Sequence, residues 1–227
     1  MNYFIKIVFI LGVFFSFCMT ACAYEKIENQ EEKYFIYLPK AIGDNPSKVL
    51  VVFHSSKMSF KEEAQRWEFN AEKKKFIIIG FDIDYKGIKN DADIENIYNK
   101  IEKAIGELNT KYNIEVDKVY TVGTSLGGLF AIDLLLRYPD SFYACVSVSG
   151  NKLFSGSERY IGNAKEKKFY FFHGDDDKYI PIEEAYIAEK ELKKNGGIVE
   201  MFIFKNGGHT LTSDAYYKAI TELSNIN

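Results

Sequence analysis

Residues Val119 to Leu136 read VYTVGTSLGGLFAIDLLL: a strand-like apolar run, five punctuating residues, then an almost wholly apolar helix-like run. Within it, Gly123-Thr124-Ser125-Leu126-Gly127 sets a serine between two glycines. That spacing suits a strand-to-helix turn so tight that the central side chain is forced out above the sheet. A side chain at 123 or 127 would collide across such a turn, and Gly128 lets the following helix lie close to the sheet. The helix N-terminus behind Ser125 brings partial positive charge to the place where an oxyanion would develop. Ser125 is therefore the candidate nucleophile.

The rest of the chain alternates in a way that suits such a turn. Strand-like segments are expected at Tyr34 to Leu38, Val49 to Phe53, Phe76 to Phe81, Val119 to Val122, Ala144 to Val148, Phe169 to Phe172 and Ile198 to Phe204. Helices fall between them. Ser59-Phe60-Lys61-Glu62 reads as a capping box for one that carries Phe60, Ala64, Trp67 and Ala71 on a single face. After Asn90 and Asp91, apolar residues from Ile94 to Leu108 recur every three or four positions. Pro181 opens a helix that Gly196-Gly197 stops, and Thr212 or Ser213 caps the last. The expected architecture is a three-layer α/β/α sandwich, a mostly parallel, doubly wound sheet of about seven strands. Fewer than twenty residues separate Gly150 from Lys168, which excludes a large cap domain there and predicts an open site.

Length and composition agree with one domain that has a sizeable core: 227 residues, 47% hydrophobic and 27% charged. A net charge of −3 offers no footprint for nucleic acid. The amino-terminal end is different in character. Lys6 is the only charge before Glu25, and Ile7 to Phe17 is continuously apolar, the pattern of an export signal over residues 1–21. Met19-Thr20-Ala21-Cys22 resembles a bacterial lipobox, which would acylate Cys22 and anchor the protein to a membrane. Ala21-Cys22-Ala23 also fits ordinary secretory cleavage, to a secreted or periplasmic product. The lipoprotein reading is preferred, because it accounts for a cysteine placed directly after the apolar run. Residues 22–32 then read as a polar tether and 33–227 as the catalytic domain. Cys145 remains as one interior thiol, so no disulfide supports the domain and the thiol packs as a small hydrophobe.

A serine hydroxyl needs a base and an orienting acid. The chain has three histidines: His54 after the second strand, His173 ending the sixth, and His209 in Asn206-Gly207-Gly208-His209 after the last. All three fall at carboxyl ends of strands, where reactive groups collect in open parallel sheets. His209 is preferred, since a Gly-Gly loop can carry its ring over Ser125 and nucleophile, acid, base is the chain order for this turn. The acid is sought in His173-Gly174-Asp175-Asp176-Asp177-Lys178-Tyr179-Ile180-Pro181. Three adjacent aspartates there also fit a hydrated turn, and they lack the ligand spacing of a calcium loop. No metal and no cofactor is expected.

The elbow, the H-G-x-x-D-x-x-I-P segment and the terminal G-G-H together resemble the α/β-hydrolase superfamily. Val116-Asp117-Lys118-Val119-Tyr120 before the elbow and Lys33 to Pro39 are similar to secreted esterases of the feruloyl-esterase and polyhydroxybutyrate-depolymerase group. The resemblance spans Lys33 to the carboxyl terminus. It implies that the acid is Asp177, four residues after His173, and that a serine esterase acts here through Ser125, Asp177 and His209. By position, it also implies that the oxyanion hole is formed by the backbone amides of Leu126 and Ser56. Where the family has His-Gly, this chain has His54-Ser55-Ser56, so Ser55 is the alternative donor. His54 and His173 are expected to brace their loops by hydrogen bonding. A peptidase or thioesterase on the same residues, and a surface protein that binds without catalysis, are the other readings. Trp67, Tyr85, Phe154, Tyr160 and Tyr179 are candidates to line a site for an ester substrate.

Overall fold

The computed structural model describes residues 25–40, 42 and 47–226. The export signal, both cleavage readings and Cys22 lie outside the described residues. Among the described residues, no helix is long and apolar enough to cross a membrane.

Among the described residues, eight strands form one sheet: β1 (Glu25–Asn29), β2 (Tyr34–Leu38), β3 (Ser47–Phe53), β4 (Phe76–Phe81), β5 (Val116–Thr124), β6 (Ala144–Val148), β7 (Lys168–Gly174) and β8 (Ile198–Phe204). They lie in the order β1-β2-β4-β3-β5-β6-β7-β8. From β4 to β8 every pairing is parallel, while β1 and β2 join at one edge as an antiparallel pair. The expected doubly wound sheet is present, with eight strands rather than seven. The extra strand corrects the reading of residues 22–32 as a tether: Glu25–Asn29 pairs residue for residue with β2, Glu25 opposite Leu38 and Asn29 opposite Tyr34.

Among the described residues, five helices cover the two faces: α1 (Phe60–Lys74), α2 (Asp91–Tyr112), α3 (Leu126–Arg137), α4 (Ile182–Lys194) and α5 (Ser213–Ser224). Local chemistry sets their starts. The Ser59 hydroxyl accepts the Glu62 N–H and the Glu62 carboxylate accepts the Ser59 N–H, while Asn90 and Asp93 do the same for α2. Each such cap is worth about 1 kcal/mol. Alternation along the strands then divides the core. Val49, Val51 and Phe53 face α2, α3 and α4, whereas Leu50 and Val52 face α1 and α5, with Trp67 and Tyr216 in edge contact at 5.1 Å. Cys145 is buried, and loss of solvation pushes its thiol pKa up to about 12.

The crossover from β6 to β7 carries only a 3₁₀ segment, Ser157–Ala164, with no room for a separate cap. A buried polar contact fastens it to α3. The Ser157 hydroxyl donates to Asp133 at 2.7 Å, and Arg137 bridges Asp133 at 2.7 Å to Asp91 at 2.8 Å.

Candidate active site

Ser125 sits at the junction of β5 and α3 with φ 54° and ψ −121°, a left-handed backbone that a serine adopts only under constraint. The constraint is close backbone contact. A β-carbon on Gly123 would lie 2.4 Å from the Gly127 carbonyl, and one on Gly127 would lie 2.2 Å from the Phe53 oxygen. The Ser125 N–H donates to the Val148 carbonyl at 2.8 Å, tying the turn to β6.

His209, in the loop after β8, places Nε2 2.8 Å from Ser125 Oγ and Nδ1 2.7 Å from Asp177 Oδ2. The three predicted side chains are therefore joined in one hydrogen-bonded chain, although 84 positions separate the serine from the histidine. Of the three aspartates, Asp175 and Asp176 are exposed and Asp177 is buried. Its other oxygen accepts the N–H groups of Tyr179 at 2.8 Å and Ile180 at 3.1 Å. Burial alone would raise the Asp177 pKa. The bond from His209 and the two backbone N–H bonds outweigh it and hold the carboxyl below the ordinary range. The carboxylate thus stays ionised beside the ring to which it is bonded.

His54 and His173 do brace their loops. His173 is fully buried; its Nδ1 accepts the Asn151 amide at 2.9 Å and its Nε2–H donates to the Ile180 carbonyl at 2.8 Å. That bond holds the far end of the Asp177 turn. His54 Nε2 accepts the Ile83 N–H at 3.0 Å, which leaves the proton on Nδ1 to donate to the Ser55 carbonyl at 2.8 Å. The same carbonyl accepts the Met58 N–H at 3.3 Å. No peptide here is cis, so clamping the Ser55 carbonyl points the Ser56 N–H the opposite way. Leu126 is the first residue of α3, and a first-turn N–H has no acceptor within its own helix.

A buried network behind the elbow was not visible in the sequence. The Arg66 guanidinium donates to the Tyr216 hydroxyl at 2.9 Å. Tyr216 lies 3.2 Å from Thr124 Oγ1, and Thr124 donates to Glu63 Oε1 at 2.6 Å. Trp67 Nε1 donates to the same oxygen at 3.2 Å, while Glu63 Oε2 is buried without a partner. Burial raises the Glu63 pKa, chiefly by loss of solvation. One signal was available: Glu63 stands four residues before Trp67, on the apolar stripe of α1.

The proposed lining aromatics divide. Trp67 is core, and Tyr160 lies under Arg137 with its ring centroid 4.4 Å from the guanidinium carbon. Tyr85 donates to the His54 carbonyl at 2.9 Å, and Phe154 packs edge-on against Phe130. Of these five, Tyr179 stands against the hydrogen-bonded chain, 5.1 Å from the His209 ring.

Residues 61–227 match the family model for phospholipases and carboxylesterases. The bifunctional acetylxylan esterase/xylanase XynS20E of Neocallimastix patriciarum is 21% identical over 171 residues. That match takes in 71% of this chain and 24% of the relative, so the chain spans about a quarter of the relative's length. Among solved structures, a thermostable esterase superposes with a TM-score of 0.66 at 18% identity, over 90% of this chain and 62% of the other. Esterase PE8 superposes with a TM-score of 0.65 at 19% identity, over 85% of this chain and 97% of the other. At such identities the superpositions establish the fold alone.

Proposed function

Given that the chain belongs to the phospholipase/carboxylesterase family of α/β-hydrolases, we propose that it is a carboxylic-ester hydrolase working through Ser125, His209 and Asp177. The observation that carries this reading is the unbroken hydrogen-bonded chain from Ser125 Oγ through the imidazole to Asp177, at an elbow whose backbone is left-handed.

On this reading the reaction runs in two halves. His209 Nε2 takes the proton of Ser125 Oγ as the oxygen attacks the ester carbonyl. The resulting oxyanion is received by the N–H groups of Leu126 and Ser56. The clamped Ser55 carbonyl favours Ser56 over Ser55 as the second donor. The tetrahedral species collapses as the imidazolium returns its proton to the leaving alcohol oxygen, giving the acyl-enzyme. Water, deprotonated by the same nitrogen, then attacks the acyl carbon and releases the acid, and Ser125 regains its proton. Asp177, held ionised, stabilises the imidazolium in both halves.

A fluorophosphonate probe tests the reading directly. Labelling of Ser125 in folded protein, lost in Ser125→Ala together with a fall of about 10⁴-fold or more in ester hydrolysis, is the expected result. Undiminished hydrolysis in a clean Ser125→Ala preparation rules it out. The acyl group is to be found with acetyl, feruloyl and hydroxyalkanoate esters run side by side.

The amino-terminal run Ile7 to Phe17 and Cys22 support export with a lipid anchor. Incorporation of labelled palmitate into wild type, and its loss in Cys22→Ala, is the expected outcome. No incorporation into wild type leaves ordinary secretion.

A further inference from the structure

Tyr179 is 72% exposed although it follows the buried Asp177 by two residues, and its ring tilts at 51° over the His209 imidazole. Lys57, the residue after Ser56, holds its ammonium 5.2 Å from the centroid of that same ring. The ring is thus shared by the loop after β3 and the loop after β7, directly beside the base. Neighbouring cations at this end of the sheet are already matched: Lys178 pairs with Asp176, and Lys152 with Glu184 at 3.1 Å. Among the described residues, no carboxylate pairs with Lys57.

Ester hydrolysis assigns sides to this arrangement. The imidazolium gives its proton to the departing oxygen, so the alcohol half of the substrate must lie against His209. Tyr179 is the exposed aromatic ring beside His209, and the Lys57 ammonium lies over that ring. An incoming anion there displaces no existing ion pair. The centroid separations are 5.1 Å from imidazole to ring and 5.2 Å from ring to ammonium, so the phenol ring links the base to the charge. We propose that Tyr179 and Lys57 form a leaving-group subsite for an aryl alcohol bearing a carboxylate. The inference rests on the esterase reading above and deepens it.

The test compares 4-acetoxybenzoate with its neutral counterpart 4-acetoxybenzamide on the full chain, scored as the ratio of the two kcat/KM values. A ratio between substrates cancels any change common to both. In Lys57→Met the anionic-to-neutral ratio should fall about fivefold at low ionic strength, the range of one exposed ion pair. In Lys57→Glu it should fall further, and high salt should bring the wild-type ratio towards that of Lys57→Met. A ratio unmoved in both variants, with the neutral ester still cleaved, overturns the subsite and leaves the esterase standing. Wild type that cleaves neither compound overturns the subsite, and if Ser125 also takes no fluorophosphonate label the esterase reading falls with it.

Discussion

A β-carbon on Gly174 would sit 2.2 Å from the carbonyl oxygen of Gly207, so the Asp177 loop and the His209 loop meet through bare backbone. The Asp176 N–H donates to that same carbonyl at 2.9 Å. Acid and base are thus set against each other before their side chains touch.

Gly174→Ala should therefore push the loops apart and lengthen the Asp177–His209 bond. Misplacement on the order of 1 Å costs about 10²-fold in rate. Steady-state kinetics should show the loss in kcat, with a cooperative thermal transition retained. Wild-type kcat in this variant would mean that the contact does not position the base.

Asp177→Asn keeps the shape and removes the charge that holds the Nδ1 proton, so kcat should fall by about 10⁴-fold. The variant also has a signature in stability. The Asp177 pKa is depressed in the folded protein, so its contribution is in place above the ordinary value of 3.8 and is lost as pH falls below it. Urea unfolding of wild type should weaken across that acidic window, and Asp177→Asn should lack this component. Parallel acid profiles would contradict the assignment.

For Glu63 the sign is reversed. Burial raises its folded pKa above 4.5, so the folded state holds a proton that the unfolded chain gives up, and stability falls as pH rises through that value. Glu63→Gln has no such proton to lose, and its stability relative to wild type should improve steadily from acid to neutral pH. Glu63→Ala instead strands the Trp67 and Thr124 donors and should cost about 1–3 kcal/mol. Denaturant titrations at several pH values check both.

What could be read from the sequence was what the backbone decides locally. Two glycines around Ser125, the Ser59 capping box and the His209 loop each declare themselves within a few residues. Strand β1 did not: Glu25-Lys26-Ile27-Glu28-Asn29 is an edge strand with charges along it, held largely by main-chain pairing to β2. The choice among Asp175, Asp176 and Asp177 came from resemblance, because only tertiary packing makes one of three neighbours buried. Glu63 and Asn151 escaped for the same reason. A polar residue is expected in water until the partner that receives it, Thr124 or His173, is brought in from a distant segment.

The antiparallel edge sets which way the domain points. Glu25 lies opposite Leu38 and Tyr34 lies opposite Phe81, so β1 runs in the same sense as β4 and the polypeptide enters at the amino ends of the parallel strands. Ser125 stands at their carboxyl ends, about 20 Å away along a strand of six residues. The Ser125 hydroxyl and the first described strand residue, Glu25, thus belong to opposite ends of the sheet.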